Sequence, residues 1–505
     1  MFRFLIPLIT PASTSTPTSR DSFEWDGTKI VKFIGDETEV VIPEGTTVIG
    51  GFAFLDSILT SVVIPEGVTV IEGCAFWDCR SLTSVVIPDS VEEIGDEAFM
   101  HCTALKEWSI SSDHPHFKTD GVGLLTKDGK KLLACLASVK EYRVPDGVTK
   151  IGNWMFRDFS SLTSVVLPES VTVIGRSAFE DCISLTSVVI PEGVKVIDEG
   201  AFEGCSSLTS VEIPDSVEEI GDRVFMGCTA LKEWSISSAH PYYKTDGVGL
   251  LTKDGKKLLA CLASVKEYRV PDGVTEIGNW IFSHYSSLAS VVLPESLTVI
   301  GIMAFNGCES LTSVVIPEGV TVIGSSAFSF CNLTSVIIPD SVKEIGDGAF
   351  GGTPLLEWSV SSAHPYFKSD GVGLLTKDGK KLVACLASAK EYRIPEGVTE
   401  IQGNAFECCE SLTSVTIPKS MKVIGDWAFQ FCRSLTSVVI PDGMVEIGEE
   451  AFSSCESLTT IEIPASVTKI WYSAFLCCPD LTIYAPEGSE AEKYAKDYGI
   501  PFKKL

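Results

Sequence analysis

Apolar and polar positions along this chain return on a fixed beat. In the stretch from Leu82 to Ala104, the residues Leu82, Val85, Ile87, Val91, Ile94, Ala98, Phe99 and Cys102 are separated by polar or turn-forming ones. The pattern recurs 23 residues on: Leu59, Leu82 and Leu105 form one series, Leu162, Leu185, Leu208 and Leu231 another, and Leu412, Leu435 and Leu458 a third. A period of this length marks an architecture of stacked repeats. Within the unit, Val85 and Ile87 alternate with Val86, as on a strand whose two faces differ. Pro88 has no N–H for a ladder and opens a turn with Asp89 and Ser90. Val91 and Ile94 enclose the polar pair Glu92 and Glu93. After Gly95, the run from Asp96 to Cys102 reads as one short helical turn with Ala98, Phe99 and Cys102 inward. A coil is therefore strand, turn, short extended piece and helical turn. One coil buries too little to offset the entropy of ordering it, so the coils must stack and cover one another's faces.

The motifs Leu-x-x-Val-x-Ile-Pro, Val-x-x-Ile-Gly and Ala-Phe-x-x-Cys follow each other in this order across about residues 21–505. Together they resemble the BspA-like leucine-rich-repeat family of microbial surface proteins. The resemblance implies an α/β repeat fold, mostly β: a single right-handed solenoid with a parallel sheet on its concave side and short helical turns. It also implies adhesion or protein binding, with partners that vary among members.

Taken in order, the chain begins with Met1, Phe2 and Arg3 and an apolar run to Ile9, which resembles a short signal segment interrupted by Pro7. The alternative is a Ser/Thr/Pro-rich tail, so residues 1–20 are set apart as tail or weak signal. Trp25-Asp26-Gly27 followed by an apolar run to Ile34 predicts a hairpin covering the open end of the repeats. The repeat body runs over 21–488. Its period breaks three times, near 109–138, 235–264 and 359–388, where Asp128-Gly129 and its equivalents sit between extended apolar runs and predict β-hairpin insertions. Each insertion enters through Trp108, Trp234 or Trp358, where ordinary coils have valine. Residues 119–149 and 245–275 are identical, the mark of block duplication. Ser489-Glu-Ala-Glu492 is a capping box, and Ala491, Tyr494, Ala495 and Tyr498 make one apolar stripe, so 489–505 reads as a C-terminal cap helix and tail.

Composition narrows the function. A net charge of −28 argues against nucleic acid and anionic lipid, which need a basic footprint. No apolar run reaches the length of a membrane span. Eleven of the seventeen cysteines occupy one slot, three residues after the repeat phenylalanine, as in Phe99 and Cys102. That spacing reads as a packing ladder of free thiols, and no C-x-x-C suggests a metal or redox site. Asp113-His-Pro-His116 offers two histidines, but the matching Ala239-His-Pro-Tyr242 and Ala363-His-Pro-Tyr366 lose the second, so the motif reads as a polar turn. No nucleophile elbow, phosphate loop or zinc-protease motif is present. The expectation is a non-enzymatic module that needs no cofactor or metal and takes a protein partner.

Two surfaces are candidates for that partner. One is a column on the outward strand face holding Val63, Val86, Val166, Val189, Val292 and Val315, which either serves strand formation or makes an apolar binding strip. The other is the set of insertion tips, with Lys127, Lys130 and Lys131, then Lys253, Lys256 and Lys257, then Lys377, Lys380 and Lys381. Five coils at about 4.8 Å each would space such tips roughly 24 Å apart, a basic comb suited to a repeating acidic partner through multivalency; the alternative is lysine-rich tips that serve solubility. Secretion or surface display follows from the family resemblance, whereas many unpaired thiols favour an intracellular scaffold.

Overall fold

The computed structural model of the chain describes residues 17–505. The expected signal segment lies outside the described residues, as does most of the expected tail. The tail's last part is tied down: Thr18 donates its N–H to the Val41 carbonyl at 3.0 Å, and its hydroxyl accepts from the Val41 N–H. The chain folds as two compact units, one ending at Tyr242 and the other running from Tyr243 to Leu505. The boundary falls inside the second insertion.

Each unit is a parallel β-solenoid. In the first, one ladder stacks Glu39–Val41, Ser61–Val63, Ser84–Ile87 and Glu107–Ile110, and another stacks Glu141–Arg143, Ser164–Val166 and Ser187–Val189. The register follows the sequence period, with Val165 opposite Val188 and Val166 opposite Val189. Two-residue strands such as Val48–Ile49, Val70–Ile71 and Glu93–Ile94 form a second parallel ladder. The second unit repeats the plan and ends on Thr460–Glu462, Thr482–Ala485 and Phe502–Lys504. The last of these shows that the residues after the helix are a paired strand, not a tail. The strands stay short because a proline closes the longer one and a tight turn closes the shorter.

The run expected as a helical turn is a pair of tight turns. Ala75, Trp77 and Cys79 donate back three residues, to the carbonyls of Glu72, Cys74 and Phe76. The intervening N–H groups of Cys74, Phe76 and Asp78 instead donate along the stack, to Asp96, Ala98 and Met100 of the next coil. Cys74 and Asp78 reach this alternation at φ of 59° and 63°. A third ladder therefore runs through the turns, and no regular helix forms there because half its donors are spent between coils. Among the described residues the one α-helix is Glu490–Asp497, whose N-cap Ser489 accepts from the Glu492 N–H; the return bond of the expected box is shifted by one residue, Glu492 accepting from Gly488 while the Ser489 N–H donates to Pro486.

The core holds the residues the period selects: Leu82, Val85, Ile87, Val91, Ile94, Ala98, Phe99 and Cys102 are all buried. Phenylalanines stack coil upon coil, with Phe179 and Phe202 centred 5.2 Å apart at 3° and Phe202 and Phe225 at 5.8 Å and 2°. Three columns end where an insertion enters, and there the tryptophan closes them edge-on: Phe99 on Trp108, Phe225 on Trp234 and Phe350 on Trp358; the last ends edge-on against Tyr494 of the helix. The insertions are three-stranded antiparallel sheets, one strand more than a hairpin, as in Phe117–Thr119, Gly123–Thr126 and Leu132–Cys135.

Candidate binding surfaces

The outward strand face carries two side-chain columns. Ser164 and Val166 stand out from their strand while Val165 is buried between them, and Ser187 and Val189 stand directly over them on the next. Val63 and Val86 are paired in the same way. All six valines singled out from the sequence are exposed, up to 65% for Val189 and 80% for Val315, and Ile337 continues the column of the second unit at 64%. Val292 and Ile337 lie in paired strands, whereas Val315 lies on a coil without regular strand pairing at that point. Where an insertion adjoins, the column changes to Ser109, then Arg143, with Glu107 and Glu141 beside them. The apolar positions are thus grouped in short runs bounded by charge.

The nine lysines divide into tethered and free. Lys127 and Lys377 donate to the carbonyls of Ser112 and Ser362 at 3.1 and 3.0 Å. Lys131, Lys257 and Lys381 pair with Asp96, Glu276 and Glu400 at 2.5, 3.0 and 2.8 Å. Lys253 also has a partner. That leaves Lys130, Lys256 and Lys380, one per insertion, exposed and without an ion pair among the described residues. At each tip one lysine is thus paired with a carboxylate, while Lys127 and Lys377, bonded to neutral carbonyls, keep an exposed positive charge.

The insertions rest on side chains whose roles were not apparent from spacing. The segment around His114 is a turn, as expected, with Asp113 and His116 exposed, but His114, His240 and His364 themselves are completely buried beneath it. Each meets a proline carbonyl of the preceding coil: Nε2 lies 3.0 Å from Pro88, 3.0 Å from Pro214 and 2.9 Å from Pro339. Nδ1 of His114 accepts the N–H groups of His116 and Phe117, so Nε2 is the ring nitrogen that carries the proton and donates. Tyr142, Tyr268 and Tyr392 donate their hydroxyls to Asp120, Asp246 and Asp370, each of which also accepts two backbone N–H groups of its own turn. Burial raises the tyrosine hydroxyls well above their ordinary range and holds them as donors.

The cysteine ladder does more than fill space. Ladder thiols donate to the phenylalanine carbonyl of the coil before them: Cys79 to Phe54 at 3.0 Å, Cys205 to Phe179 at 3.1 Å, Cys455 to Phe429 at 3.2 Å; Cys409, which follows an insertion, meets Leu386 instead, at 3.8 Å. Burial pushes Cys79 and Cys228 up to about 12, so they remain thiols, which suits donation and not nucleophilic attack. In the adjacent pairs, Cys409 is buried and Cys477 exposed, while Cys408 and Cys478 are half-buried.

The coil plan is matched by the family profile for the BspA type leucine rich repeat region, six copies of which cover residues 34–120, 129–245, 255–361 and 381–491. The chain belongs to this family. Its repeats are of a type generally used for protein interaction. Among solved structures, the chain is similar to a leucine rich cell surface protein from Faecalibacterium prausnitzii, at 25% identity over 95% of this chain and 97% of that one, with a TM-score of 0.33. It is also similar to a leucine-rich repeat protein from Bacteroides ovatus, at 25% identity over 77% and 98%, with a TM-score of 0.32. A third, from Eubacterium ventriosum, is 21% identical over 63% and 82%, with a TM-score of 0.41. No curated protein matches the chain. Among the described residues no helix is long and apolar enough to cross a membrane.

Proposed function

We propose that this protein is a non-enzymatic protein-binding module, displayed or secreted as an adhesion or recognition protein, and that its outward valine columns are the contact. The observation that carries this is the registered exposure of valine over valine on hydrogen-bonded strands, as at Val166 and Val189. A strand position facing water needs no large apolar side chain, and stacking such positions makes a contiguous patch of the kind that marks interaction sites. Charge at the block edges, Glu141 and Arg143 for example, supplies a polar rim and sets register. Lys130, Lys256 and Lys380 serve as secondary contacts for acidic groups on the same partner. Display outside the cell rests on the family resemblance.

A photoreactive residue at position 189 should crosslink the partner in material from the source organism, and Val166→Asp with Val189→Asp should remove the adduct. Adducts formed only from positions 130, 256 and 380 would make the insertion tips the binding surface instead. A second reading, an intracellular scaffold, is favoured by the seventeen free cysteines. Labelling of an epitope tag on intact cells separates the two: access from outside supports display, and access only after lysis supports the scaffold.

A further inference from the structure

In the first unit the turn ladder is interrupted beneath the first insertion. The N–H groups of Glu97, Phe99 and His101 occupy the positions that in the preceding coil, at Cys74, Phe76 and Asp78, donate to the next coil at 3.1, 2.8 and 2.8 Å. Here they donate to no acceptor among the described residues. The next coil presents the carbonyls of Asn153, Met155 and Arg157 at the positions that should receive them, and these accept nothing. Between the two rows lies a cavity of about 310 Å³. Phe99, Cys102, Leu132, Leu133 and Phe159 give it an apolar lining, and exposed Asp96 and Lys130 stand at its edge. Two buried side-chain nitrogens on its wall, His101 Nε2 and Arg157 Nε, also lack hydrogen bonds. His101 is nine-tenths buried, and its Nε2 lies 3.4 Å from Asp158 without hydrogen-bond geometry. Unpaired polar groups are rare where protein is packed; here six backbone groups line one cavity without a protein partner among the described residues, and His101 Nε2 and Arg157 Nε have only the Asp158 carboxylate, at 3.4 and 3.9 Å.

The second unit shows what closing such a gap requires. Beneath the third insertion Gly348 and Gly352 donate directly to Gly403 and Glu407, at 3.1 and 3.4 Å, and Cys385 donates to Ala405 at 2.7 Å. All three waiting carbonyls are used, and the residual cavity is about 10 Å³. Glycine makes this approach possible: a Cβ at Gly348 would lie 2.9 Å from that of Asn404, and one at Gly351 would lie 2.3 Å from Glu407 Oε2. The equivalent positions of the first unit hold Glu97 and Met100, whose side chains stand where no room exists in the closed form.

We propose that the open slot of the first unit binds an extended peptide segment, which supplies the rung of backbone that the insertion displaces. A peptide group lying across the slot presents its carbonyl to one row and its N–H to the other. An extended chain offers a group of that orientation at every second residue, and the groups of both rows likewise alternate along the sequence. The cavity lies at the small end of ligand sites, which limits the occupant to a few residues with small side chains. This is strand addition inside a ladder rather than at a sheet edge, and it does not depend on the valine face.

The probe is a set of capped tripeptides, acetyl-Ala-Xaa-Ala-amide with Xaa as Ala, Val, Ser or Asp, titrated into the full chain. At least one should bind with a Kd of about 1 mM or tighter and slow hydrogen exchange at the N–H groups of Glu97, Phe99 and His101. N-methylation of the Xaa nitrogen and, separately, of the following nitrogen removes one donor orientation each; one of the two should weaken binding at least tenfold. The variant combining Glu97→Gly, Met100→Gly and His101→Gly should close the slot and lose binding by the same factor. Failure of all four peptides, binding indifferent to both methylations, or binding without protection at Glu97, Phe99 and His101 would overturn the proposal. The methylation and exchange measurements use the native protein, so they decide the matter even if the glycine variant does not fold.

Discussion

Glu407 gives a stability test whose sign can be worked out in advance. The residue is buried, with its side chain against Gly351 on the neighbouring coil. Burial, opposed by a hydrogen bond with Asn404, raises its carboxyl from 4.5 to about 7. The native chain therefore holds a proton that the unfolded chain has released at intermediate pH. Stability from this group is fully present below about pH 4.5 and is lost as pH rises through about 7. Each unit of displacement corresponds to about 1.4 kcal/mol, so the whole window removes roughly 3 kcal/mol. Glu407→Gln keeps the shape and polarity of the side chain but cannot ionise. Urea unfolding of parent and variant at pH 5 and pH 8 isolates the group, since every other carboxylate of this acidic chain contributes to both. The variant should gain on the parent by roughly 2–3 kcal/mol between those two pH values. A difference that stays constant with pH would mean that Glu407 ionises normally in the folded chain, and the argument from burial would fail.

Other expectations follow from the ladders. Phe202→Ala should cost about 3–5 kcal/mol, read from thermal or urea unfolding, because Phe202 is fully buried between Phe179 and Phe225. A cost under about 1 kcal/mol would mean the column collapses around the gap rather than holding its shape. Thiol labelling of the native chain should modify Cys477 promptly and the buried ladder cysteines only in denaturant; prompt labelling of Cys205 would contradict its burial. His114→Leu should orphan the Pro88 carbonyl and the N–H groups of His116 and Phe117, costing about 1–3 kcal/mol for each group left dry. Hydrogen exchange should then quicken first in Phe117–Thr119 and its paired strands, and uniform exchange across the unit would argue against a local keystone.

What the sequence disclosed was whatever repeats with a fixed period. Leucine, valine, phenylalanine and cysteine recur at 23 residues, so the buried face, the parallel register and the cysteine column follow directly from spacing. The insertions were legible from broken period and Asp-Gly turns, and Trp108 from its replacement of a valine. The keystones were not, because a single histidine or tyrosine within each insertion has no periodic neighbour to give it meaning. His114 resembles any exposed turn residue until the proline carbonyl that receives its proton is in place. The tethering of the lysine tips was not legible for a related reason: their acceptors, Asp96 and Ser112 among them, lie outside the insertion strands and are assigned only by folding.

The turns show how far the sequence could have been pressed. Their alternating backbone places Cys74, Asp78, Trp154, Asp158 and many others at positive φ, a conformation that L-residues enter reluctantly. Reading any one coil, nothing distinguishes such a residue from one in a helical turn. Reading the coils as a column does, because Gly200 and Gly204 occupy the same two slots, as do Gly348 and Gly352, also at positive φ. Glycine appearing at matched positions in some copies marks a left-handed site in all of them. In most coils without glycine the strain is offset because such an N–H finds a carbonyl on the next coil, as from Cys74, Asp78, Trp154 and Asp158. Where the stack is interrupted, as at Glu97 and His101, the same two residues remain left-handed with no carbonyl to receive them. A backbone held ready in this conformation, without its usual partner, is preorganised for an incoming chain, and the cost of ordering it has already been met by folding.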